Sequence, residues 1–126
     1  MRILVCGARN WSDYIAIRDV IASLLPLGVE CIIEGEAAGA DSMGRVAANE
    51  LGIAVLKFPA DWNKHGKAAG PIRNKQMLEE GKPDLILAFH DDIDKSKGTK
   101  NMLEQAQKAG IVTRLYSHKL VEKIIV

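Results

Sequence analysis

The 126-residue sequence predicts an α/β, Rossmann-like fold: a single domain with a mostly parallel sheet of about five strands, flanked by helices on both faces. Three observations predict it. Short aliphatic runs alternate with helical stripes along the whole chain. The runs are continuously apolar, as in strands buried on both faces. Glycines fall at regular places between them.

The runs are Ile3 to Cys6, Cys31 to Glu34, Ile53 to Lys57, Leu85 to Phe89 and Ile111 to Leu115. Tyr14, Ile17, Val20, Ile21 and Leu24 follow the spacing of one helical face. Met43, Val46, Ala47 and Leu51 form a second stripe, and the small Ala47 and Ala48 allow close approach to the sheet. Ile72, Met77 and Leu78 mark a shorter third, and Met102, Leu103, Ala106 and Ala109 a fourth. Gly28, Gly52, Gly81 and Gly110 each follow a stripe and precede a strand, where a left-handed residue ends a helix. The tail Val121 to Val126 fits a last strand or a short helix. Phe58 to Pro71 breaks the rhythm as a long polar loop, the kind of connection that carries function.

Composition bounds the function. Apolar residues make up 48%, charged residues 26% and aromatics 5%, so the core is aliphatic. A net charge of +1 gives no global field for unspecific nucleic-acid binding. Cys6 and Cys31 lie inside strand runs and read as buried thiols rather than a disulfide or metal pair. Met1-Arg2 leads straight into a strand and no apolar stretch reaches membrane-span length, so a cytoplasmic location is expected.

Ligands of open parallel sheets bind outside the carboxyl ends of the strands. Four turns are expected there: Cys6 to Trp11, Glu34 to Asp41, the long loop ending in Gly70-Pro71-Ile72-Arg73-Asn74, and His90-Asp91-Asp92 through Thr99. Helix N-termini suit phosphate, and Gly98-Thr99 with Lys97 beside it is the best such start, Gly39 to Ser42 the next. Neither a Walker loop nor a dinucleotide fingerprint is present. Thr99 and Asp41 are expected to cap helices. Arg73, placed in the first turn of a helix, needs an anion to face. Arg9 is a solvated turn residue or a ligand contact. Trp11 and Trp62 read as lids over the core rim before stacking platforms. His65, His90, Asp91 and Asp92 match no zinc or iron spacing, so no metal is expected. Lys64-His65-Gly66-Lys67 reads as a solvated run that could also clamp a phosphate.

At these turns the sequence resembles the YspA-like group of the superfamily that joins DprA/Smf DNA-processing proteins and LOG cytokinin-activating enzymes, abbreviated SLOG. The resemblance rests on Ile3 to Ser12, Ile33 to Asp41, Phe58 to Asn74 and Lys97 to Thr99, of which the third is the most specific. It implies a Rossmann-like sheet and a pocket for a nucleotide or nucleotide-derived ligand such as ADP-ribose. The positions it carries over are Gly7, Arg9, Gly35, Gly39, Asp41, Arg73, Asn74, Gly98 and Thr99. It also implies a homodimer or higher homo-oligomer. No cofactor is expected.

The chain departs from the pattern at two turns. The usual Gly-Gly-Ala-Arg-Gly-Ala-Asp is here Gly35-Glu36-Ala37-Ala38-Gly39-Ala40-Asp41. Of the LOG Pro-Gly-Gly-x-Gly-Thr only Gly98-Thr99 remains, and the glutamate that follows it there is absent: Lys100, Asn101 and Met102 precede Glu104. Three functions follow from these residues. The first is binding of a nucleotide-like ligand. The second is hydrolysis of an N-glycosidic bond, for which Asp41, Glu36, Asp91 and Asp92 are the candidate catalytic carboxylates. The third, nucleic-acid binding, is disfavoured by the charge and by the lack of aromatic-basic interleaving.

Overall fold

The computed structural model describes every residue except Lys119 and Val126, with side chains through His118. Six strands form one sheet: β1 Arg2–Gly7, β2 Cys31–Glu34, β3 Ala54–Lys57, β4 Leu85–Phe89, β5 Val112–Ser117 and β6 Leu120–Ile125. Their order is β3-β2-β1-β4-β5-β6, with β5–β6 the antiparallel pair and all the others parallel. The five aliphatic runs are thus the five parallel strands. The tail supplies the sixth, an antiparallel edge.

Alternation along β1 sorts the two cores. Ile3 and Val5 face one layer, with Ile17 and Ile21 of α1 (Tyr14–Leu24) and Ala40, Ala47 and Ala48 of α2 (Ala40–Glu50). Leu4 and Cys6 face the other, with Met77 and with Met102, Leu103 and Ala106 of α5 (Gly98–Lys108). Helices therefore cover both faces of β1, β2 and β4, while β3, whose continuous run Ile53 to Lys57 predicted the same burial, is a largely exposed edge strand. Gly44 of α2 lets that helix sit on β1, since a Cβ there would lie 2.9 Å from Val5 Cγ1. Both cysteines are buried and unbridged. Among the described residues no helix is long and apolar enough to cross a membrane.

Four further expectations need correction. Phe58 to Pro71 is a loop only as far as Asp61: beyond that it holds α3 (Trp62–His65), a 3-10 turn at Gly66–Ala68 and the start of α4 (Ala69–Gln76). Helical rise shortens the span and satisfies its backbone. Arg73 consequently lies past the first turn of α4. Ile72 and Val46, assigned to apolar stripes, are 43% and 44% exposed. Gly81 does not take the left-handed turn; Lys82 does, at φ +50. Gly81 ends a π turn (Met77–Gly81) and is small because a Cβ would press on Ile33 at 3.1 Å.

Candidate functional site

A cavity of about 650 Å³ opens at the carboxyl edge of the sheet, on the α4–α5 side. That volume suits a small organic ligand. All four predicted turns contribute to it. Of the residues expected to bind ligand, Gly7, Arg9, Asp41, Arg73, Asn74, Gly98 and Thr99 line it. Gly35 and Gly39 stand behind it and shape the β2–α2 turn. Cys6, Met77 and Met102 give it an apolar wall. Burial pushes the Cys6 thiol far up, so it stays neutral.

The β2–α2 turn brings charge to the floor. Gly39 has φ +75, and a Cβ on it would fall 2.2 Å from the Ala8 carbonyl oxygen. Only glycine permits this approach of the β1–α1 and β2–α2 turns. Asp41, 5% exposed, does not cap α2. Its Oδ2 turns back and accepts from the amides of Gly35 (3.2 Å) and Ala37 (3.3 Å). The Arg73 guanidinium donates through Nη1 to the Gly35 carbonyl. A Cβ on Gly35 would strike Arg73 Nη1 at 2.4 Å and Asp41 Oδ2 at 2.9 Å, so both charged groups crowd against this glycine. Burial raises the Asp41 pKa to about 6, outweighing Arg73, the two amides and Arg9, which all pull it down. Burial also lowers that of Arg73, against the attraction of Asp41. The anion that Arg73 faces is Asp41.

Asn74 ties this floor to the start of α5. It is 3% exposed. Its Oδ1 accepts from Arg73 Nε (3.1 Å), and its Nδ2 donates to the Gly98 carbonyl (3.2 Å) and to Asn101 Oδ1 (3.1 Å). Every polar atom of its amide is engaged, so Asn74 orients the guanidinium and the α5 N-terminus together. The capping role expected of Thr99 belongs to Ser96, whose Oγ accepts from the Thr99 amide at 3.0 Å. Thr99 is buried in the cavity wall. Lys67 and Lys97 reach the rim. Five charged side chains line the cavity, four of them cationic and one, Asp41, acidic.

The other candidate carboxylates lie elsewhere. Glu36 pairs with Arg45 at 3.0 Å on the solvent side of its turn. It takes φ +60, the conformation that the glycine usual at this place would adopt freely. Its amide donates to Glu34 Oε2 at 2.6 Å. Glu34 is fully buried, and its Oε1 has no hydrogen-bond partner among the described residues. Burial pushes its pKa to about 8, so it is neutral at physiological pH. Asp91 and Asp92 line a separate recess of about 160 Å³ with Trp11 and His118. There His118 bridges Asp91 (Nδ1 to Oδ2, 2.9 Å) and Asp13 (Nε2 to Oδ2, 2.9 Å) while its ring stacks on Trp11 at 4.6 Å. The two carboxylates raise the His118 pKa, Asp91 most. His90 reaches both spaces; burial lowers its pKa, and its Nδ1 accepts from the Asp92 amide at 2.9 Å.

Trp11 is a core lid as expected, at 5% exposure. Trp62 is not: it is 50% exposed and lines the cavity, with Arg9 Cζ 5.8 Å from its ring centroid. Its position in the Phe58–Pro71 connection could be read from the sequence, its exposure could not.

The model of the YspA, cpYpsA-related SLOG family matches residues 1–65. The chain belongs to that family. The matched half of this SLOG chain runs from β1 into α3 and holds Gly7, Arg9, Gly35, Gly39, Asp41 and Trp62. The chain is also similar to "Gene 61 protein" of Mycobacterium phage D29, at 35% identity over 118 residues, covering 87% of this chain and 91% of the relative. Membership of the SLOG family suggests nucleotide-related binding or processing.

Proposed function

We propose that the cavity binds a nucleotide or a nucleotide-derived molecule such as ADP-ribose. The observation that carries this reading is the convergence of Arg9, Lys67, Arg73 and Lys97 with the α5 N-terminus on one cavity of about 650 Å³. Cations and the positive end of a helix suit phosphate, and the volume leaves room for an organic moiety. Asn74 holds two of these parts, Arg73 and Gly98, in fixed relation, which lowers the cost of ordering them on binding.

Thermal denaturation with mononucleotides, ADP-ribose and cyclic derivatives tests the reading. A ligand at about a hundredfold its Kd stabilises the native state by about 2.7 kcal/mol, a shift of several degrees in Tm. Arg73→Ala should lose that shift. No shift from any of these ligands at millimolar concentration sinks the reading.

Asp41 supports a second reading, hydrolysis of the ligand's N-glycosidic bond. It is the carboxylate that lines the cavity, and burial raises it to about 6, close to where a general base works at neutral pH. In that reaction water adds at the anomeric carbon as the carbon–nitrogen bond breaks. Asp41 takes the water's proton and afterwards gives it up to solvent, while the departing base, left with the electron pair of the broken bond, takes its proton from solvent. Release of free base, lost in Asp41→Asn but kept in an exposed control such as Lys75→Ala, supports it. Tight binding with no base release leaves the protein a binder.

A further inference from the structure

We propose that Trp62 is the platform on which the ligand's aromatic base stacks, so that the cavity selects molecules carrying a planar ring one ribose away from a phosphate. This rests on the nucleotide reading of the cavity and goes beyond it by assigning the base its place.

Three observations carry the assignment. Trp62 is one of two tryptophans in the chain, and it is 50% exposed where Trp11 is 5% exposed. An indole is among the largest apolar surfaces a chain can bury. One left half open at the rim of a cavity keeps that surface for what enters. Secondly, Arg9 brings its guanidinium to 5.8 Å from the ring centroid, at the outer limit of a cation–π contact. Both side chains line the cavity, and an indole and a guanidinium each stack on bases. Thirdly, the spacing fits. The Trp62 ring edge, at Cη2, lies 3.6 Å from where a Cβ on Gly70 would stand. Asn74 is four residues along α4 and holds Gly98 at the start of α5. Residues four apart share a helix face, separated by about 6 Å of rise. The indole and the α5 terminus therefore flank one stripe of α4, a helical turn apart, with Met77 and Met102 lining the same space. A ribose bridges a base and a phosphate over such a gap.

The test uses the whole chain and five probes: AMP, GMP, CMP and UMP against ribose 5-phosphate, which has the phosphate and sugar but no base. Binding is measured by calorimetry for the wild type, Trp62→Ala and Trp62→Phe, with circular dichroism to show that the variants fold. Indole fluorescence of the wild type is followed in parallel. At least one nucleotide should bind more tightly than ribose 5-phosphate and quench the fluorescence, which ribose 5-phosphate leaves unchanged. Trp62→Ala should weaken that nucleotide by about fivefold to a hundredfold, the range for loss of one aromatic–base stack, and leave ribose 5-phosphate within about twofold. Trp62→Phe should restore most of the loss. Equal weakening of nucleotide and ribose 5-phosphate makes Trp62 a support for α4 and overturns the proposal. So does nucleotide binding that leaves the fluorescence and the Trp62→Ala affinity unchanged; the nucleotide reading survives both results. If none of the five probes binds the wild type, the platform falls, and the nucleotide reading falls with it where ADP-ribose and the cyclic derivatives fail as well.

Discussion

Asp41 and Arg73 meet at Gly35, and their charges govern what the cavity attracts at each pH. Burial gives Asp41 a native pKa of about 6, against about 3.8 in the unfolded chain. Between those values the native state binds the extra proton, so its stability falls as pH rises from about 4 to about 6, the reverse of an ordinary ion-paired aspartate. Protonation also removes the one carboxylate that offsets the cavity's cations. An anionic ligand should therefore bind more tightly below pH 6. ADP-ribose is the suitable probe, because its diphosphate does not titrate in this window. If the ligand and Asp41 are coupled by about one pKa unit, affinity rises up to about tenfold from pH 7.5 to pH 5, and Asp41→Asn flattens the profile. A wild-type profile as flat as that of the variant refutes the coupling. At this scale residue identity was legible and role was not. Asp41 and Arg73 could be picked from their turns, but helix caps were expected where Asp41 bonds backward and where Ser96 takes the Thr99 amide. Nor does the sequence reveal that Glu34 is fully buried, since a strand-end glutamate is as often solvated. Such partners depend on turns whose geometry one residue type does not fix.

The β2–α2 turn shows what an element adds to its residues. Gly35 and Gly39 stand four apart and exclude a side chain for different reasons. At Gly39 a Cβ meets backbone, Ala8 O at 2.2 Å and Arg9 O at 2.5 Å, and φ is +75. Nothing there can yield, so Gly39→Ala should cost about 3 kcal/mol or more in urea unfolding. At Gly35 a Cβ first meets the end of the Arg73 side chain, which can swing away. Gly35→Ala should stay folded, lose no more than about 1–2 kcal/mol, and weaken an anionic ligand about tenfold through the displaced guanidinium. Loss of binding without loss of fold at Gly35, and loss of fold at Gly39, is the expected contrast. Equal stability loss in both removes the distinction. The sequence marked this turn clearly, because two glycines bracket it before a helix. It marked the next connection poorly. The four residues of α3 and the three of the 3-10 turn are too short to show a period, and Gly66 and Pro71 read as breakers. The connection's α4 packs on α5, a contact that is not local in sequence and that no short pattern reveals.

At the scale of the whole molecule, the strand order β3-β2-β1-β4-β5-β6 reverses direction at β1, and the cavity opens at the carboxyl ends of β1 and β4, where the connections that leave them part. Ligand sites of doubly wound sheets lie at such switch points. The chain as a whole carries +1, yet four of the five charged side chains lining the cavity are cationic. Four of the chain's 17 Lys and Arg side chains thus gather in one recess. A recess lined mostly by cations suits a small anion. The consequence is a split salt response. ADP-ribose affinity should fall severalfold from about 0.05 M to about 0.5 M salt, since screening over a shorter Debye length weakens the rim lysines most. A single-stranded DNA of about 20 nucleotides should show no shift at either salt, because the few cations cannot release enough counterions to hold it. DNA binding that falls steeply with salt would place the positive field outside the cavity and favour the nucleic-acid function over the small-ligand one. Lys67→Ala with Lys97→Ala separates the terms further: the double variant should flatten the salt dependence of ADP-ribose binding, while Arg73→Ala should lower the affinity at every salt concentration. The lysines are exposed at the rim, and the guanidinium is held at the floor by Asn74 and Gly35, where salt screens it least.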